Sequence, residues 1–232
     1  MKNLLQKGLI PGMLLLCGNV FGQAIEQAKE SQDRKIQDTH LRFVLNAVNT
    51  SLNYGEANSE LSDYKKSNRG IQAGVSFQAG ITSKVSLLSE FYFITKGGQL
   101  KSNNPLTFSK SSLRFYTLEF PVLARFHLGR FHINAGPSIA YNLSGRTKME
   151  GSYTALSFNN SDEGFKRFDA GIQMGGGYRF KIKQRNIVLD IRYSNGLTNV
   201  SRGQEVYNRY LNVSLQCFTP WKRNPLSRNK NS

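Results

Sequence analysis

The sequence predicts an all-β fold, an eight-stranded antiparallel up-and-down transmembrane β-barrel. Three observations point to it. Apolar and polar residues alternate with period two through eight stretches of the chain. The connections between those stretches alternate long and short, as in barrels with tight turns at one end and long loops at the other. No run approaches the ~20 apolar residues of a spanning helix, and the mean hydropathy is −0.43. A helical membrane protein is thereby excluded. A barrel is not, because alternating strands hide their apolarity from window averages.

Residues 1–22 read as an export signal. Lys2 and Lys7 give a positive start, Leu9 to Phe21 is mostly apolar, and Gly22 places a small residue before Gln23. A buried N-terminal strand or helix is the competing reading. Cys17 follows Leu16, whereas a lipoprotein signal wants a small residue there, so lipidation is not expected. After cleavage Cys217 stands alone, and no intrachain disulfide can form. His40, His127 and His132 have no zinc-binding spacing, and no cofactor is expected. The formal charge of +16 suggests nucleic acid at first sight. Export argues against that partner. The basic residues are also scattered, and the densest group is Lys222, Arg223, Arg228 and Lys230 in a C-terminal tail, 219–232. Outer-membrane lipid and lipopolysaccharide headgroups are the better electrostatic match.

Residues 23–40 are polar and lack aromatics, and are expected as a periplasmic lead-in to a barrel over 41–218. The first strand, 41–49, is the least regular. In the second, Ile71, Ala73, Val75, Phe77, Ala79 and Ile81 oppose Gln72, Gly74, Ser76, Gln78 and Gly80. The third, 85–96, sets Phe91 and Phe93 against Glu90, Tyr92 and Lys96. The fourth, 113–128, sets Tyr116 through Leu128 at even positions against Thr117, Glu119, Pro121, Leu123, Arg125 and His127, since residues i and i+2 share a strand face. The fifth, 131–143, opposes Phe131, Ile133 and Ile139 to His132, Asn134 and Ser138. The sixth, 167–180, opposes Phe168, Ile172 and Met174 to Asp169, Gln173 and Arg179. The seventh, 187–194, opposes Ile187, Leu189, Ile191 and Tyr193 to Val188, Asp190, Arg192 and Ser194. The eighth opposes Leu211, Val213, Leu215 and Cys217 to Asn212, Ser214 and Gln216. The short turns fall at 82–84, 129–130 and 183–186. The long loops are expected at about 50–69, 97–112, 144–165 and 195–208. An even strand number puts both chain ends on the periplasmic side.

Alternation alone does not say which face looks outward, and a lipocalin-like secreted barrel or soluble sandwich would turn the apolar face inward. Three features favour lipid outside. The polar face is rich in Gly, Ser and Asn, small enough for a narrow lumen. It carries opposite charges, Glu90, Glu119, Asp169 and Asp190 against Arg125, Arg179 and Arg192, which a closed lumen would pair. Aromatics such as Tyr116, Phe126, Phe131, Tyr141, Tyr178, Phe180 and Tyr193 sit near strand ends, as in interfacial girdles.

Four runs then carry a family resemblance: Leu118-Glu119-Phe120-Pro121-Val122-Leu123, Asn134-Ala135-Gly136-Pro137-Ser138, Phe168-Asp169-Ala170-Gly171 and Asp190-Ile191-Arg192-Tyr193-Ser194-Asn195-Gly196-Leu197. In their order and spacing they resemble the outer-membrane β-barrel family of Bacteroidetes-type bacteria, often labelled porin-family or PorT-like. The resemblance spans about 41–218. It implies a barrel in the outer membrane that the barrel-assembly machinery inserts, and a PorT-like role would mean assisting type IX protein secretion. The family usually ends on an aromatic in the last strand. Here Phe218 is one residue out of phase with Cys217, and Thr219-Pro220-Trp221 and the basic tail follow.

The lumenal charges admit a proton or solute path or a salt-bridged plug, and an eight-stranded interior filled by side chains favours the plug. His127 and His132 flank the Gly129-Arg130 turn, with Ser138 further up, but no nucleophile or metal motif accompanies them, so no enzyme activity is expected. Gly175-Gly176-Gly177 lies within a strand and reads as close packing rather than a phosphate loop. Lys65, Lys66, Arg69, Lys101 and Lys110 are expected to form a basic loop rim facing lipopolysaccharide phosphates. The functional readings are a plugged barrel acting through its loops, a narrow-pore transporter, and an accessory that meets secretion-machinery components.

Overall fold

In the computed structural model, residues 39–56, 59–161, 164–182 and 185–218 are described, with side chains described for all of these except 181, 182, 185, 186 and 216–218. The expected export signal, most of the lead-in and the basic tail therefore lie outside the described residues, as does the side chain of Phe218.

The strands are β1 His40–Asn53, β2 Lys65–Gly80, β3 Val85–Leu100, β4 Ser111–Leu128, β5 Phe131–Met149, β6 Ser152–Ala155, β7 Phe168–Ile182, β8 Arg185–Gly196 and β9 Tyr207–Phe218, with a 3-10 turn at Ser59–Tyr64. Eight of them close a ring. Each pairs antiparallel with its neighbours in the order β1, β2, β3, β4, β5, β7, β8, β9, and β9 returns to β1. The short β6 hangs outside this ring, paired to the outer end of β5 through Arg146↔Ala155 to Met149↔Ser152. Following the register once around the ring leads to a residue further along β1. That stagger is what a closed sheet of tilted strands requires.

The alternation read from the sequence sets the faces. Outward residues include Phe43, Leu45, Ile71, Phe91, Phe120, Phe126, Ile133, Ile139, Ile172, Met174, Ile191 and Val213, all well exposed. Their inward neighbours Asn46, Gln72, Glu90, Glu119, Arg125, Asn134, Gln173, Asp190 and Asn212 are buried. A soluble barrel would invert this arrangement, because apolar surface drives burial in water. The molecule instead shows an apolar wall around a polar interior, the pattern a lipid environment selects.

Two turns are as tight as expected. At 81–84 the Thr82 hydroxyl accepts hydrogen bonds from the backbone NH groups of Lys84 (3.2 Å) and Val85 (3.0 Å). At the β4–β5 hairpin, Gly129 takes φ 66°, the left-handed conformation that costs glycine least. The third turn is shorter than the expected 183–186, since β7 reaches Ile182 and β8 begins at Arg185. Close packing holds at the glycine triplet. A side chain at Gly177 would press on the Leu189 carbonyl and on the His132 ring, 2.6 Å from its Cε1.

The outer ends differ from expectation. The strands run several residues beyond the stretches of apolar alternation, so the loops are shorter than 50–69, 97–112, 144–165 and 195–208. Segments such as Lys65 to Arg69 and Gly145 to Met149 continue the ladder with no apolar face. Backbone hydrogen bonding needs no particular side chain, so the sheet extends past the belt that hydropathy reveals. A shift of register between Tyr116 and Thr117 places two consecutive β5 residues, Leu143 and Ser144, on the outer face.

The loops are also less polar in effect than their composition suggests. Leu52, Tyr54, Leu61, Leu100, Phe115, Val200 and Val206 form a buried apolar cluster at the outer mouth. Leu106, Leu113, Leu156, Phe158 and Phe165 pack against it. This cap was not expected from the sequence, because most of its members come from loop segments with no periodicity, and Phe115 shares its side of the fourth strand with Thr117 and Glu119.

Candidate functional site

The lumen is the part of the fold that selects its side chains most strictly. Every inward position comes from a strand whose opposite face is apolar, so a polar residue there is held inside by register. The buried charges balance among the described residues: Arg42, Lys96, Arg125 and Arg192 against Glu90, Glu119, Asp169 and Asp190.

They form two groups. In the group nearer the short turns, the Arg192 guanidinium forks onto Glu90, with Nη1 2.6 Å from Oε2 and Nη2 3.3 Å from Oε1. Its Nε also donates to Asp190 Oδ1 at 3.1 Å. Asp190 Oδ2 receives Arg125 Nη2 at 3.0 Å and Asn134 Nδ2 at 3.2 Å, and lies 2.7 Å from His132 Nε2. Arg125 Nη1 donates to Gln78 at 3.0 Å. Asp190 is the hub, joining β8 to β4 and β5. Above it, Lys96 Nζ lies 2.6 Å from Glu119 and 3.6 Å from Asp169. Gln173 Nε2 lies 2.8 Å from each of Glu119 Oε1, the Tyr92 hydroxyl and the Tyr210 hydroxyl, its two hydrogens shared among the three. Asp169 accepts from Thr198 (2.7 Å) and Asn208 (2.9 Å). Asn46 and Asn212 both donate to Gln72 Oε1.

Six of the seven charges singled out in the sequence, Glu90, Glu119, Arg125, Asp169, Asp190 and Arg192, thus meet in ion pairs. Arg179 departs from that set. It is half-buried and forms no ion pair among the described residues. It lies at the turn end of β7, its NH bound to the Arg130 carbonyl, so solvent can serve its charge where a lumenal carboxylate does not. Lys96 and Arg42 were missed as network members. Lys96 shares strand parity with Glu90 and Tyr92, so its signal was present. Arg42 was hidden because β1 carries apolar residues on both faces.

The side chains fill the space between them. A void of about 10 Å³ is bordered by Lys96, Ser138, Asp169, Ser194 and Asn208, barely room for one water. Leu88 and Leu123, both fully buried, add an apolar layer. Over the outer end sits the apolar cap, whose burial pushes the Tyr54 hydroxyl up to about 12. A path through the barrel would have to break both layers.

His127 Nε2 lies 2.8 Å from the Ser86 hydroxyl, a distance suited to a base and a nucleophile. Ser86 is fully buried, and Arg125, Arg179 and His132 are the charged or titratable groups near His127. Among the described residues, no carboxylate is hydrogen-bonded to this pair. Among the described residues, no three His, Cys, Asp or Glu side chains gather as a metal ion would need.

The basic residues expected at the rim are dispersed. Lys65, Lys66 and Arg69 lie within β2 on the extended sheet rather than in a loop. Lys101 donates to the Asp63 carbonyl at 2.9 Å, and Lys110 is exposed at the mouth of a cleft beside β4.

The sequence matches no curated protein. Among solved structures, similarity is found to Ail, the attachment invasion locus protein of Yersinia pestis. Its complex with the heparin analogue sucrose octasulfate is 9% identical, with a TM-score of 0.41, covering 78% of this chain and 99% of that one. Neisserial surface protein A is 10% identical with a TM-score of 0.43, covering 77% and 97%. The profile of the outer membrane protein beta-barrel domain family matches residues 27–202. With that match over most of its length, the chain belongs to the outer membrane protein beta-barrel domain family, whose place is the bacterial outer membrane.

Proposed function

We propose that the protein is a closed, non-conducting barrel that acts through its outer loops and rim, in contact with lipopolysaccharide and outer-membrane lipid. The observation that carries this is the doubly blocked interior: a charge-balanced network of buried ion pairs beneath an apolar cap. Opening the network would leave charges unpaired at several kcal/mol each, on the order of the cost of a buried ion. The outer ends, by contrast, expose cations such as Lys110, Arg146 and Lys148 that form no ion pair among the described residues. A Bacteroidetes-type origin and a role beside the type IX secretion machinery rest on the four strand motifs alone. Planar-bilayer recording tests the reading. The purified protein is expected to give no steady current, and a reproducible single-channel conductance would overturn it in favour of a narrow-pore transporter.

A further inference from the structure

Above the apolar belt, β4 and β5 place Arg114 and Arg146 directly opposite each other in the ladder. Like charges at such a pair repel. Lys148 follows one same-face step beyond Arg146, and Lys110 immediately precedes β4. None of the four makes an ion pair among the described residues. In the lumen of the same molecule cations and carboxylates are equal in number, so this outer surplus stands apart.

All four line an open cleft of about 710 Å³. Its floor is the outer wall of β4 and β5, continued by Gln99 of β3 and Asn68 of β2; its sides are the 101–110 loop and Tyr153 of β6. Its depth in the membrane follows from the rings below. Tyr116, one same-face step beneath Arg114, stacks with Phe93 at 6.3 Å in the girdle. The Arg146 guanidinium lies 5.7 Å from the centre of the Tyr116 ring and 4.8 Å from that of Tyr153, and Lys148 Nζ is 4.8 Å from Tyr153. The cations therefore begin where the aromatic girdle ends, at the level of lipid headgroups.

The cleft is held in shape. Asn104, fully buried, donates to the Lys101 carbonyl (2.7 Å) and the Ser109 carbonyl (3.0 Å), and accepts from the NH groups of Leu106 (3.1 Å) and Thr107 (2.8 Å). Asn103, Phe108 and Glu150 are the non-glycine residues with positive φ among the described residues, at 59°, 54° and 50°, and all three border this cleft. Left-handed backbone is unusual for phenylalanine. Here it leaves the Phe108 ring 76% exposed at the opening. Backbone strain of this kind concentrates at binding sites. The Lys148 ammonium beside it, with Arg146 and Arg114 beyond, holds the Tyr153 phenol below its usual value. Glu150 is the one carboxylate on the lining, and it accepts a hydrogen bond from Ser109.

We propose that this cleft binds the phosphorylated sugar headgroup of an outer-leaflet glycolipid. Two guanidiniums and two ammoniums match phosphate oxygens, which arginine grips with paired hydrogen bonds. The exposed faces of Phe108 and Tyr153 suit a sugar ring, and the girdle beneath suits the acyl chains. The site rests on the loop-and-rim reading above and names its ligand class.

Bisphosphorylated lipid A is the probe, added to the full chain in detergent micelles, with bound lipid counted by native mass spectrometry. Arg114→Gln/Arg146→Gln is expected to weaken binding roughly tenfold or more, the scale of one or two lost charge-assisted hydrogen bonds. Lys166→Gln/Arg202→Gln removes equal charge from residues off the cleft and is expected to leave binding unchanged. Heat-modifiable gel migration checks that each variant folds; Lys148→Gln provides a milder substitute with the same expected direction. Equal weakening by both double variants would overturn the proposal in favour of diffuse attraction. So would undiminished binding of dephosphorylated lipid A, or binding of inorganic pyrophosphate or a heparin fragment in place of lipid A. A steady bilayer current with selective lipid A binding would instead remove the sealed-lumen reading and leave this site standing.

Discussion

Asp190 shows at the scale of one residue how the barrel stores its specificity. Its carboxylate takes hydrogen bonds from Arg125, Arg192 and Asn134 and contacts His132, tying three strands together across the lumen. Removing its charge leaves the Arg125 guanidinium without its counter-ion, and Arg192 with Glu90 alone, in a site closed to water. Asp190→Asn is expected to cost about 3–5 kcal/mol, the usual penalty for breaking a buried pair from one side. Urea unfolding in lipid vesicles measures it; a loss below about 1 kcal/mol, the scale of an exposed pair, would show the network to be solvated. Strand parity made most of this network legible, because a charge two residues from another on a polar face must share its side of the sheet. Parity does not report depth, and that is why Arg179 was grouped with the others although it lies at the rim. Nor does it report which residues meet across long stretches of chain, as Arg192 and Glu90 do across 102 positions.

At the scale of the element, the sequence disclosed each strand only where lipid selects its outward face. Beyond the belt the outward face turns polar, and β2, β3 and β5 continue on backbone hydrogen bonds, with Leu100 at the end of β3 turned inward to the cap. The basic cleft was invisible for the same reason. Arg114, Arg146, Lys148 and Tyr153 came from stretches read as loops or strand margins, and the β4–β5–β6 ladder brings them together. One seam closes the ring. Among the described residues β1 pairs β9 from Ala47↔Val213 to Asn53↔Tyr207, and its ladder with β2 begins at His40↔Gln78. Phe43 and Leu45 along this stretch are 87% and 80% exposed, as is much of Leu215 opposite. Amide exchange is expected to be slow through 47–53, where β1 lies between the β2 and β9 ladders that protect its NH groups. Exchange through 47–53 as fast as in the 101–110 loop would show an open seam.

At the scale of the whole molecule, charge is sorted. The lumen is balanced, the wall is apolar, and the net positive charge of +16 falls on the ends of the chain and the outer surface. The mouth is closed by side chains from every long loop, a long-range packing that no local pattern announces. The account as a whole depends on the direction of the faces, apolar toward lipid and polar toward a filled interior. Nitroxide labels at Ile133, Ile139 and Val213 in vesicles test it most directly, through relaxation by oxygen, which partitions into lipid, against a water-soluble nickel chelate. The account predicts that oxygen dominates at all three positions. Dominance of the nickel chelate would place this wall in water and contradict it.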